Sequence, residues 1–164
     1  MSSFPIRSLM VLAMMLAASS PARSDACSGL HLKIDRVGED VGNGSRTFRF
    51  QIHNIGADAC EITGAPAVEL FDTRGGRLDV EVISPAAGDK AEPVALAPGA
   101  DAHFDVEFAS PGDSDATCHD AVELRTIMPG TDMPSTFSGS FMSCGPVKVS
   151  PIRSGTSIPA DPKL

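Results

Sequence analysis

Four cysteines, four histidines and a short row of carboxylates are the side chains through which this sequence could do chemistry. Cys27, Cys60, Cys118 and Cys144 contain no C-x-x-C spacing. Neither a thioredoxin-like dithiol nor a zinc ribbon is therefore indicated. No flanking feature marks any of them as an activated thiolate. Four cysteines in one small exported domain read instead as two structural disulfides.

His31, His53, His103 and His119 could bind a metal or act as a base, and Met128, Met133 and Met142 could add soft ligands for copper. No two of these residues have a ligand spacing such as H-x-H, M-x-x-M or H-x-x-x-M. Asp101, His103, Asp105 and Glu107 alternate along one strand face. That row could hold a cation or a basic partner, but it also reads as a solvated face that discourages edge pairing. Asp113, Asp115 and Asp120 make an acidic stretch without the spacing of an EF-hand. Neither G-x-S-x-G nor H-E-x-x-H is present, and no glycine-rich loop opens a helix to cradle a phosphate. Asn43-Gly44-Ser45 matches a glycosylation sequon and reads equally as a hairpin turn.

The elements that must position these residues are strands. Apolar residues recur with period two at Leu30, Leu32 and Ile34, at Phe48, Phe50 and Ile52, and at Leu78, Val80 and Val82. The same alternation appears at Ala102, Phe104, Val106 and Phe108, at Val122 and Leu124, and at Val147 and Val149. Phe137 and Phe141 share one face across Gly139, and a short run spans Val68 to Phe71. Such alternation marks strands with one buried face. In this phase His31, His53 and His103 point outward, and His119 falls in a loop. Asn43-Gly44, Arg74-Gly75-Gly76, Pro98-Gly99, Pro111-Gly112 and Pro129-Gly130 supply the turns. The expected fold is all-β: an antiparallel, immunoglobulin-like β-sandwich of about seven to nine strands with two disulfides. The antibody-type core is excluded, because the chain has no tryptophan.

Residues 1–24 read as a cleaved signal peptide. Arg7 precedes the apolar run Leu9 to Ala18, and Ala22-Arg23-Ser24 fits the small-x-small cleavage rule before Asp25. Ten apolar residues rise only about 15 Å as a helix, too short for a stable span. Residues 25–153 then form the sandwich domain, with an exposed loop at Ser84 to Glu92 and a flexible tail at 154–164. Removing Arg7 and Arg23 leaves eleven basic against twenty-one acidic residues, a net charge of −10. That balance argues against nucleic acid and anionic membranes as partners. The expected location is periplasmic or secreted.

Spacing alone leaves three disulfide pairings open. Position along the expected strands favours Cys27–Cys60 with Cys118–Cys144, each pair lying at the ends of neighbouring strands. Cys27–Cys144 with Cys60–Cys118 is the alternative.

One constellation is more specific than any catalytic motif. It runs Phe50-x-Ile52-x-Asn54-x-Gly56, then Cys60-x-Ile62-x-Gly64-x-Pro66-x-Val68-x-Leu70-x-Asp72, then Gly76. Val94-x-Leu96-x-Pro98-Gly99 follows, with Ala102, Cys118, Leu124, Pro129, Cys144 and Val147-x-Val149-x-Pro151. The pattern resembles the bacterial exported family catalogued as domain of unknown function 4232, from Cys27 to about Pro151. Ala59 and Ala65 depart from its usual residues. The resemblance implies the fold and export but no activity. Members with only two cysteines keep the pair matching Cys27 and Cys60, which supports the first pairing. Physically, Asn54 suits a side-chain-closed turn, and Gly56 suits a positive φ beside it.

These residues are turn and disulfide residues, so the expected function is a non-catalytic binding or envelope-associated module, without cofactor, for an unidentified protein or small ligand. The alternatives are a periplasmic copper-binding protein and, further off, a hydrolase.

Overall fold

The computed structural model describes residues 25–42, 44–84, 91–111 and 117–156. The expected signal segment lies outside them, as do Asn43, Asp113, Asp115, the centre of the Ser84 to Glu92 loop and residues 157–164. The described chain contains strands β1 (Asp25–Ala26), β2 (Leu32–Gly42), β3 (Ser45–Asn54), β4 (Cys60–Ile62), β5 (Ala67–Phe71) and β6 (Val82–Ile83). β7 (Val94–Leu96), β8 (Asp101–Ala109), β9 (His119–Ile127), β10 (Pro134–Ser143), β11 (Val147–Val149) and β12 (Arg153–Ser154) follow. Three of the twelve are two residues long. The remaining nine match the number expected from the alternation. Among the described residues no helix is long and apolar enough to cross a membrane.

The strands form a sandwich-like stack. One sheet has the order β2-β3-β8-β11-β6, with β12 also on β8, and the second has the order β10-β9-β5. A small third sheet, β1-β4-β7, carries the N-terminal cysteine region. Most pairings are antiparallel, as expected, but β1–β4 and β11–β6 are parallel. The core lies between the two main sheets. Phe48 of β3 meets Phe141 of β10 edge-on at 5.1 Å, and Phe50 meets Phe137 at 4.8 Å. These aromatic pairs supply the interior contacts that tryptophan would otherwise provide.

Three expectations from the alternation are corrected. Leu30 is not a core residue. It sits in a 3₁₀ turn, Gly29–His31, and is exposed, so the first long strand begins at Leu32. Val122 is exposed while Ala121 is buried, because the β9–β10 ladder shifts register between Ser138 and Phe141. Leu78 and Val80 pack on the core in the expected phase, yet their segment joins no ladder until Val82. At the C-terminal end β12 joins the larger sheet. Arg153 and Ser154 pair with His103 and Ala102, and the Gly155 N–H donates to Asp101 O at 2.9 Å.

The sandwich has an open side where the free edges of β2 and β10 approach one another. Both strands are bulged there, β2 between Arg36 and Gly38 and β10 between Ser138 and Phe141. The Arg36 guanidinium lies 5.3 Å from the Phe48 ring centre and 6.0 Å from that of Phe141. Arg46 stacks 4.8 Å over Phe48 and donates from Nη1 to Ser140 O at 3.2 Å. The crossing is close at Gly139, where a Cβ would fall 3.2 Å from Arg36 Nη1. Two arginines thus cover the exposed flank of the aromatic core, and the bulges blunt both edges against further strand pairing.

Candidate functional site

The outward face of the larger sheet holds most of the polar residues that the sequence singles out. Its strand register brings opposite charges side by side. His53 stands opposite Asp101, Arg49 opposite Asp105 and Lys148 opposite Glu107. The His53 Nδ1–H donates to Asp101 Oδ1 at 2.6 Å. That bond, followed by one from Gln51, holds the Asp101 carboxyl below its ordinary range. Lys148 Nζ donates to Glu107 at 2.9 Å, and Arg49 Nε lies 3.9 Å from Asp105 Oδ1, an ion pair without a hydrogen bond. The expected acidic row is therefore paired across the register with His53, Arg49 and Lys148 of the flanking strands. His103 donates through Nδ1 to Gly155 O at 3.0 Å and so anchors β12. A groove of about 370 Å³ lies over this row, lined by Thr47, Asp105, Glu107, Lys148, Val149, Ser150 and Arg153.

The metal candidates are dispersed. His31 lies in the 3₁₀ turn, His53 and His103 are engaged on the outer face, and His119 begins β9 rather than lying in a loop. Met128 is buried in the core, while Met133 and Met142 are exposed. Asp120 lies in β9 and is exposed. Among the described residues no three His, Cys, Asp or Glu side chains converge on a position that would hold a metal ion.

The four cysteines pair as position favoured. Cys27–Cys60 and Cys118–Cys144 are both formed, at sequence separations of 33 and 26. Cys27 and Cys60 are buried in the core cluster, whereas Cys118 is exposed. The route to the first pairing differs from the expected one. Cys27 follows β1, which runs parallel to β4, and its N–H donates to Glu61 O at 3.0 Å.

The two bridges sit at opposite ends of the sandwich. Cys144 N–H bonds Ala109 O, and Ala109 pairs with Ser45, the first residue of β3. Cys60 pairs with Leu96 beside Asn54, the last residue of β3.

At the Cys27–Cys60 end the distinctive motif residues interlock. Asn54 is 1% exposed. Its Nδ2 donates to Asp58 O and Leu96 O at 3.0 Å each, with Ala97 O at 3.3 Å, and its Oδ1 accepts the Gly56 N–H at 2.9 Å. One amide thereby ties the 55–59 turn to the end of β7 and satisfies every polar atom it buries. Gly56 does not take the expected positive φ. It is needed because a Cβ there would stand 3.0 Å from the Cβ and Cγ of His31. The Ile55 N–H donates to His31 O at 2.8 Å. On the other flank a Cβ at Gly29 would lie 3.2 Å from Met133 Cβ. The 3₁₀ turn is thus held between the Ile55 turn and the Met133 turn. Between these supports the end presents Leu30 at 69%, Ile55 at 57% and Met133 at 45% exposure. Sequence reading missed this group. The signal for Leu30 was Ser28-Gly29 just before it, which breaks a strand rather than extending one. A depression of about 210 Å³ beside the group is lined by Asp25, Ser28, His31, Asn54 and Asp58, among others.

The motif residue Asp72 has a similar scaffold role. Its carboxylate accepts the N–H groups of Gly76 and Arg74, both at 2.8 Å, and these bonds lower its pKa. Fold and site together define a small all-β domain, stapled at both ends by disulfides, whose distinctive residues build one rigid end. The chain belongs to the family described as a domain of unknown function, DUF4232, whose family model matches residues 27–153. No curated protein and no solved structure matches it. The two disulfides are compatible with an oxidising, extracytoplasmic compartment.

Proposed function

We propose that this chain is a non-catalytic binding module of the periplasm or the secreted space, and that it engages its partner through the Cys27–Cys60 end. The carrying observation is the exposure of Leu30, Ile55 and Met133 on loops locked by a disulfide, the Asn54 amide and two close glycine contacts. Large apolar side chains on a pre-formed surface favour association, because little ordering entropy remains to be lost. The polar outer face supports the same assignment from the opposite side. Most of its charged groups are paired with one another across the strand register.

The test is site-specific photo-crosslinking in cells that export the chain. A crosslinker at Leu30, Ile55 or Met133 is expected to trap a discrete adduct, and one at Thr47 or Lys148 on the outer face is not. Equal labelling at both faces, or no adduct at the apolar end, would remove the proposal.

A further inference from the structure

The proposed binding end has a charge character that narrows its partner. Its three carrying segments, residues 25–31, 55–59 and 128–133, contain Asp25, Asp58 and Asp132 and no lysine or arginine. All three aspartates are exposed. Elsewhere on the domain five carboxylates are matched by cations: Asp35 by Lys33, Glu39 by Arg46, Glu69 by Arg77, Glu123 by Arg125 and Glu107 by Lys148. Asp25, Asp58 and Asp132 join no ion pair among the described residues. The end therefore combines an apolar centre with an acidic rim that no lysine or arginine of its own segments compensates.

Resting on the binding reading above, we infer that this end docks a protein segment that presents an apolar side chain flanked by lysine or arginine. The apolar anchor packs among Leu30, Ile55 and Met133, and the flanking cations meet the aspartate rim. Anchors at the centre of an interface carry its affinity, and rim charges set partner choice and encounter rate. An acidic partner is excluded by like-charge repulsion. A second copy of the chain is disfavoured for the same reason, since its corresponding end carries the same three carboxylates.

The experiment uses the full chain with both disulfides formed, isotope-labelled for amide NMR, and two nonapeptides with the same central leucines, one flanked by lysines and the other by glutamates. The lysine-flanked peptide is expected to shift amides of Gly29–His31, 55–59 and 131–133. Its affinity should fall about tenfold or more in Leu30→Ser/Ile55→Ser, and about tenfold in Asp25→Asn/Asp58→Asn/Asp132→Asn, as it should for the glutamate-flanked peptide. All five positions are exposed, so an unchanged melting temperature confirms that the fold is intact. Equal affinity for the two peptides, no binding, or shifts centred on the outer sheet face overturns the inference. So does a concentration-dependent dimer that Leu30→Ser/Ile55→Ser abolishes. Crosslinks at the apolar end without charge dependence sink this inference and leave the binding reading standing. Absence of those crosslinks sinks both.

Discussion

Replacing Asn54 tests whether one buried amide holds the Cys27–Cys60 end together. Its side chain makes three good hydrogen bonds, two from Nδ2 to Asp58 O and Leu96 O and one from the Gly56 N–H to Oδ1. A net contribution of about 1 kcal/mol each gives a loss of about 3 kcal/mol for Asn54→Ala, and the Leu96 carbonyl left buried adds to it. In a domain of ordinary marginal stability that is a large share of the total, and it corresponds to a fall of about 10 °C in melting temperature. Asn54→Asp separates the donor from the acceptor role. Its carboxylate keeps the Gly56 bond but points the other oxygen at carbonyl oxygens, so the folded state binds a proton more tightly than the unfolded chain. A carboxyl group with a raised folded pKa is most stabilising below the unfolded value of about 4, and its stability falls as pH rises from there. Urea denaturation between pH 4 and pH 8, with both disulfides intact, measures this. Asn54→Asp should be less stable than Asn54→Ala at pH 7 and recover on acidification. The reasoning is refuted if Asn54→Ala costs under 1 kcal/mol, or if Asn54→Asp matches the parent at pH 7.

Three further outcomes follow from the geometry. His53→Ala should lower stability near neutral pH, with the variant and parent curves converging as pH falls through the depressed Asp101 pKa, because a lowered folded pKa stabilises only above it; parallel curves across the acid range would refute the pairing. Under native conditions a mild thiol reductant should open Cys118–Cys144 before Cys27–Cys60, since Cys118 is exposed and the other pair is buried; differential alkylation read by mass spectrometry decides this, and simultaneous opening argues against it. Arg36→Ser should cost about 1 kcal/mol from lost contact with Phe48 and Phe141 and should raise aggregation on heating, measured by denaturation and light scattering; an unchanged aggregation onset would show that the arginine does not guard the open flank.

The strands that carry the core were legible wherever alternation ran unbroken between turn signals. Phe48, Phe50 and Ile52, and Ala102 through Phe108, are buried as their period required. Reading failed where the period continued into a different conformation, as at Leu30, or slipped at a bulge, as at Val122. A bulge depends on two strands at once and leaves no mark in either alone. Hairpin order accounts for Cys118–Cys144 at the ends of β9 and β10, whereas Cys27 reaches Cys60 through the parallel β1–β4 pairing, which the alternation did not show. Charge pairing was not recoverable in the same way. His53 and Asp101 are 48 residues apart and meet only through the β3–β8 register. Nor could composition identify Leu30, Ile55 and Met133 as a group, because an apolar residue looks the same in sequence whether it faces the core or water. The charge of their surroundings was visible only as a global excess of acid.

The two covalent loops, residues 27–60 and 118–144, neither overlap nor nest, and each encloses a single β-hairpin. No strand must thread through a closed ring, so either bond can form first without obstructing the other. For a chain oxidised from its N-terminus onward, the first hairpin can be sealed before residue 118 is present to compete. Mispairing then requires only one circumstance, that the first two cysteines remain reduced until the third arrives. The order of residues along the chain thus acts as a proofreading schedule, which makes the outcome of oxidation depend on the timing of emergence as well as on the final contacts.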